Sequence, residues 1–356
     1  METIASGSNE IALNTTLPAH DLEETICQRC EEREVEDGYR LLLCHVCRTE
    51  LAKRKVPLWI KGTTLVIVIL LLYSLFQFPF TLSAGVHYKR GVQAYDSHKS
   101  WTAVHEFEQA TDRFPDSTKI LARLFISYYQ TGQFDKASET LSKIGGKTAE
   151  SESMANLINN VVSEMERRYY SDKELQEIFM GSDLAVRITK LREYIDKHPE
   201  SVSGQYYLAD SLFDAKQFNE VESIVLKLRE TETDYEPATL LLAAAYRETK
   251  QYDKATHEVQ SVLGSNSESD SAYFALSRIE LKQHLDKQGL ADAQTAYDLN
   301  PDDGNLIANL ALANYFNQNM AERDRLVNLL RDREDYGQKD LDQLNSIFDG
   351  TTAWRG

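Results

Sequence analysis

"LADSLFDAKQFNEV" (residues 208–221), "LAAAYRETKQYDKA" (242–255), "LSRIELKQHLDKQG" (276–289) and "LALANYFNQNMAER" (310–323) each begin 34 residues after the last. Two earlier stretches, "LFISYYQTGQFDKA" from Leu124 and "RGVQAYDSHKSWTA" from Arg90, themselves stand 34 residues apart in the same pattern. A period of this length marks one helix-turn-helix unit, which cannot bury its apolar face alone and must stack on its neighbours. The fold class that follows is mainly α, a helical solenoid.

These residues resemble the tetratricopeptide (TPR) family. In the first copy Gly91, Ala103, Phe107, Ala110 and Pro115 fall in the family's spacing of small, aromatic and turn residues, and the copy from Leu242 matches with Ala243, Tyr246, Tyr252 and Ala255. Small residues are needed where the two helices of a unit cross closely, and aromatics fill the space beside them. The resemblance covers most of residues 84–335. It implies TPR repeats over 84–149 and 201–335. Residues 150–200 add about 16 residues to the register while keeping helical periodicity, which predicts an irregular helical insert that bends or splits the array. "QKDLDQLNSIF", within a 336–356 tail, suits a capping helix over the last repeat's open face.

The four cysteines, Cys27, Cys30, Cys44 and Cys47, all lie in the first 50 residues, as CxxC, thirteen residues, CxxC. Two such knuckles present four sulfurs for tetrahedral zinc. Asp37-Gly38 between them is a turn signal, with "EVE" and "YRLLL" as short flanking strands and "RTELAKRK" as a following helix. Residues 23–56 are therefore expected to form a zinc ribbon or treble clef holding structural Zn2+, after a disordered segment 1–22. The alternatives are two disulfides or a redox CxxC; the latter would need a βαβ setting that is absent, and His45 is a bystander to a complete four-cysteine shell.

Between Thr63 and Leu82 no residue is charged, and twenty helical residues reach about 30 Å, the thickness of a hydrocarbon core. The stretch predicts one transmembrane helix, with Trp59 at its near boundary. Arg48, Lys53, Arg54, Lys55 and Lys61 precede it, against Lys89, Arg90 and Lys99 after it, a bias that places the N-terminus in the cytosol. Reduced thiolates point the same way. The repeats are then extracytoplasmic, a layout similar to bacterial envelope proteins with anchored repeats.

Net charge is −17, and the segment beyond residue 82 carries 31 basic against 45 acidic residues. Such a surface repels phosphate backbones and argues against nucleic-acid partners. No Gly-rich phosphate loop, nucleophile elbow or HExxH is present, and the histidines show no paired metal spacing, so no enzyme is expected. By the family's register the inward groove positions are Tyr88, Tyr95, Ile126, Tyr129, Tyr206, Asp210, Phe213, Arg247, Phe274, Arg278, Asn309, Leu312 and Tyr315, which implies a protein or peptide partner. The Lys and Asn clamp by which some TPR proteins hold chaperone C-termini is incomplete: Lys119 and Arg123 stand at third-repeat positions without the two repeats before them. The leading reading is a membrane-anchored scaffold. Alternatives are an organelle-type receptor with cytosol-facing repeats, and a tethered zinc module contacting nucleic acid or a cytosolic enzyme.

Overall fold

A computed structural model describes residues 25–53, 55–147, 151–169, 172–181, 183–333 and 336–355. The expected disordered segment 1–22, the flanking Arg54 and Gly356 lie outside these. The chain divides into two units, residues 1–77 and 78–356.

In the first unit α1 (His45–Ala52) starts at the second knuckle, where the Cys44 side chain occupies the N-cap and accepts the Cys47 backbone N–H at 3.4 Å. The expected strands do not form a ladder. Among the described residues the only β-bridge is Ile26 with Glu34, and "EVE" is tied to "YRLLL" by a single backbone bond from Glu36 to Leu43. So small a module has no second layer on which strands could pack. Helix α2 (Leu58–Asp96) contains the expected span and continues beyond it, with Pro79 inside. From Leu65 to Phe76 its large apolar side chains are 43–69% exposed.

The second unit takes the last turns of α2, where Ala84, Gly91 and Ala94 are buried, as the first helix of its first repeat. The array continues through α3 (Ser100–Thr111), α4 (Thr118–Gln130), α5 (Phe134–Ile144) and α6 (Glu152–Arg168). The helices α7 (Lys173–Gly181), α8 (Leu184–Lys197), α9 (Val202–Asp214) and α10 (Phe218–Leu228) follow. Next come α11 (Glu236–Glu248), α12 (Tyr252–Ser265), α13 (Asp270–Lys282), α14 (Asp286–Leu299), α15 (Gly304–Phe316), α16 (Met320–Arg331) and α17 (Gln338–Phe348). This is a TPR-like solenoid. A Cβ on Gly91 would lie 2.6 Å from the Phe107 ring, and one on Gly289 would lie 2.7 Å from Leu281, so both crossings need glycine. Ala103, Ala110, Ala137, Ala209, Ala243, Ala255 and Ala293 are fully buried at the equivalent crossings.

The period is written into the backbone as well. His98, Gly132, Lys216, Lys250, His284 and Gln318 all adopt left-handed φ between 57° and 69°, each in the turn within a repeat. The residue after each returns its N–H to a carbonyl five back, as from Gln217 to Leu212 and from Gln251 to Tyr246, which closes the first helix in a Schellman-type cap. Ser201, Ser269 and Asp303 cap the next helices with their side chains. Tyr235 takes the same position before α11 without a side-chain cap bond; its ring is instead 1% exposed.

The buried core changes hands in the insert. One cluster runs from Ala94 to Met165 and takes in α6, the next from Leu175 to Ile279, and the last from Leu281 to Leu344.

Candidate functional site

Cys27, Cys44 and Cys47 are buried and Cys30 is half-buried; all four thiols are free, and their sulfurs lie within 4.8 Å of one another. Cys30 Sγ and Cys44 Sγ are 3.8 Å apart. Four sulfurs at ~2.3 Å from a tetrahedral zinc would stand ~3.8 Å apart, so the donor set fits that ion. Electrostatics fits it too. Burial acts to raise the Cys27 thiol, yet backbone hydrogen bonds from Cys44, Cys30 and Arg29 bring it down to about 6. Cys47 is pushed up to about 12 by burial and by the neighbouring sulfurs. Sulfurs this close resist ionising together unless a cation sits between them. Around them Arg48 bonds Glu36 at 3.0 Å and His45 bonds the same carboxylate at 3.2 Å, which fixes the helix start and leaves His45 outside the sulfur cluster.

The inward positions of the array fall into three environments. Near its start, Ile126 is 1% exposed and belongs to the core. Tyr88 packs 5.9 Å from Phe107, while Tyr95 and Tyr129 line a cavity of about 480 Å³ with Arg168, Tyr169, Glu236 and Asp270. Tyr129 donates to Glu164 at 3.0 Å. Helix α6 thus lies against the inner face of the early repeats and forms one wall of this cavity.

Residues distant in sequence close this region. Arg168, 6% exposed, donates to Glu232 at 2.7 Å and to Asp234, and Arg167 reaches the same Glu232 at 3.0 Å. Tyr235 packs edge-on to Tyr169 and tilted on Tyr206, which is why the cap position before α11 carries a ring. Glu268 accepts both the backbone N–H and the hydroxyl of Thr102 at 2.7 Å, and Ser267 donates to the His98 carbonyl at 2.8 Å. These pairings join positions 64 to 169 residues apart. Sequence reading missed them; the only signal was a basic pair, "RR" at 167–168, and an acidic run, "ETETDYE" at 230–236, too common a pattern to pair by eye.

The middle of the array carries an open concave stretch of about 370 Å³, lined by Tyr206, Leu240, Leu241, Ala244, Arg247 and Phe274 among others. Burial lifts Glu236, on its edge, to about 7 although the Ser269 hydroxyl bonds it at 2.6 Å. Asp210 is raised to about 6 by burial and by Asp214. Phe213 packs on Phe218, and Arg247 is nearly buried on Glu248 at 2.8 Å.

At the end of the array, Asn309 and Leu312 are buried. Asn309 donates to Ser277 at 3.0 Å between repeats. Phe274, Arg278 and Leu312 line a smaller space, about 180 Å³, beneath Tyr336, Leu344, Ile347 and Trp354 of the chain's own tail. Tyr315 packs, tilted, with its ring 5.0 Å from that of Phe348. The inward positions are thus divided among a cavity beside α6, a stretch in the middle, and a space under the chain's own tail.

The tetratricopeptide repeat family model matches residues 102–161. No curated protein sequence matches the chain. Among solved structures, MamA of AMB-1 is 15% identical, with 51% of this chain and 99% of that one covered and a TM-score of 0.33. Yeast Tom70 is 13% identical over 79% of this chain and 72% of its own, with a TM-score of 0.33. The TPR2AB domain of yeast Sti1, solved with pHSP90, is 14% identical over 75% and 98%, with a TM-score of 0.28.

Proposed function

We propose that the chain is a membrane-anchored scaffold that holds a segment of another protein in the middle of its repeat array. The observation that carries this reading is the open concave stretch between Tyr206 and Phe274, where aromatic and leucine side chains stand half-exposed beside Arg247. Such surfaces are suited to an extended or helical segment, with apolar anchors supplying affinity. Helix α2 supports the anchoring: it is 39 residues long, has mean hydropathy 2.3 over its most apolar window, and buries none of that window. An apolar surface of this extent is stable in lipid and not in water. The flanking basic residues favour a cytosolic N-terminus, with a structural zinc in the four-cysteine module and the repeats across the membrane.

The test is a cross-linking capture with the detergent-solubilised full chain as bait. Tyr206→Ala with Leu240→Ala should lower capture at least tenfold, since each anchor contributes on the order of 1.5–3 kcal/mol. Replacing the exposed Glu230 and Asp253 should change it little. Equal capture by both double variants, with helicity intact, would rule out the groove. For sidedness, residues 83–356 should be the protease-accessible part of intact spheroplasts.

A further inference from the structure

The covered end of the groove is closed in an unusual way. After α17 the chain turns at Gly350, whose φ is +79°, and Thr352 N–H bonds back to the Ser346 carbonyl at 2.8 Å. This turn carries Trp354 over α13 and Arg355 onto the α13–α14 turn and the end of α15. The Trp354 ring lies 5.4 Å from Phe316, 4.7 Å from the Lys282 ammonium and 5.4 Å from the Arg278 guanidinium. Lys282 also donates to the Trp354 carbonyl at 2.7 Å. Arg355 stacks 3.5 Å over Phe316 and pairs with Asp286 through both guanidinium nitrogens, with His284 Nδ1 at 3.3 Å from one of them.

Part of this contact is ordinary core packing, since Trp354 lies against the buried cluster of the last repeats. The rest is polar: Trp354 and Arg355 stay only partly buried, and they meet Lys282, Arg278, Asp286, His284 and the Phe316 ring. The two cations are drawn away from water as well: burial lowers Arg278 to about 9, Arg247 acts in the same direction, and burial also lowers Lys282. An electron-rich indole face between them compensates part of that desolvation. The two neighbouring contacts, one taking an aromatic ring and one an arginine, adjoin the open stretch, with which they share Phe274.

We propose that residues 351–355 act as a ligand held in cis, and that this end of the groove recognises peptide segments in which an aromatic residue is followed by arginine. The proposal rests on the reading of the array as a peptide-binding groove and deepens it. A partner segment with that chemistry would enter by displacing Trp354 and Arg355, so the tail limits access.

The experiment uses the full chain, the full chain lacking residues 350–356, and full-length Trp354→Ala, all in detergent, with a fluorescein-labelled peptide DGTTAWRG as probe. Fluorescence anisotropy should show saturable binding to the truncated chain at least tenfold tighter than to the full chain. Trp354→Ala should bind the probe too, because its cis anchor is gone while the rest of the tail remains. A probe with alanine for tryptophan should lose at least tenfold, and Asp286→Arg in the truncated chain should lose binding to the arginine. Absence of probe binding to both a folded truncated chain and Trp354→Ala overturns the proposal. So does equal binding to full and truncated chains, which would mean the cis segment does not compete. If the truncated chain unfolds, Trp354→Ala alone decides. Probe binding without any captured protein would leave this pocket standing and count against the scaffold reading, so the two fail separately.

Discussion

The cysteine module and the repeat array hold their chains by opposite means. In residues 25–53 the buried side chains that cluster are Cys27, Cys44 and Cys47, with Cys30 and Leu43 against them. In the array, one cluster alone joins residues from Leu175 to Ile279 through valine, leucine, alanine and tyrosine side chains. The module concentrates its stability at one point, where four sulfurs converge on a space that suits one ion. The array spreads it over contacts between neighbouring helices, repeated down the chain. Loss of one element should therefore be total in the first region and graded in the second.

Metal removal is the strongest way to break the comparison. Binding free energies of structural zinc in small modules are on the order of 10–16 kcal/mol, far above what the few other buried side chains here could supply. Cys44→Ser, or a strong chelator, should collapse the module completely, while the helical signal of the array stays near its starting level. Elemental analysis should give about one zinc per chain before chelation and none after, and cysteine alkylation should pass from protected to complete. A module that keeps its thiols protected without metal would place its stability elsewhere.

The second test addresses the array where it departs from simple repetition. Glu232 is 3% exposed and accepts bonds from both Arg167 and Arg168. Glu232→Ala leaves Arg168 buried beside Asp234, Glu164, Tyr129 and the Tyr235 ring, so the loss should fall below the roughly 3–5 kcal/mol of a buried charge left wholly unpaired. Urea unfolding should show that loss at neutral pH. Burial acts to raise the Glu232 carboxyl, but the hydrogen bonds from Arg167 and Arg168 outweigh it and hold the group below its ordinary value. Its stabilisation is then full above about pH 4.3, the ordinary glutamate pKa, and is lost as pH falls through the lower folded value. The gap between wild type and variant should narrow in acid; a gap independent of pH would show that packing, not charge, is responsible.

What could be read in the sequence separates along the same line. The repeat positions were legible because the period places Gly91 against Phe107 and keeps Ala243 and Ala255 at a crossing, and each copy repeats the same reason. The cysteine cluster was legible because CxxC spacing is set by ligand geometry and needs no partner elsewhere. The strands proposed around Asp37-Gly38 failed because turn chemistry alone does not supply a surface for them. The surroundings of the inward positions were only partly legible. A repeat register says which face turns inward but not what the chain lays across it. Tyr129 meets α6, Arg278 meets Trp354, and Asn309 is spent on Ser277, each through a contact that breaks the period. Tyr235, where its counterparts are Ser201, Ser269 and Asp303, was one visible mark of such a break.

The finest test concerns the turns that make the array periodic. Lys216 and Lys250 hold φ near +60° where the equivalent position in the second repeat is Gly132, at φ +69° with open space around its Cβ direction. A side-chain-bearing residue in this conformation costs roughly 1–2 kcal/mol, while glycine surrenders roughly 0.5–1 kcal/mol of extra chain entropy on folding. The difference decides the sign. Lys216→Gly and Lys250→Gly should each stabilise the array by up to about 1 kcal/mol, and Gly132→Ala should destabilise it by about the same amount, since there is no steric contact to add. Urea midpoints resolve changes of this size when the slope is unchanged. The two lysine variants must also agree with each other, because the 34-residue period makes their turns equivalent. A loss at one and a gain at the other would mean that a lysine side chain is held by its surroundings, and that the repeats are less alike than their backbone.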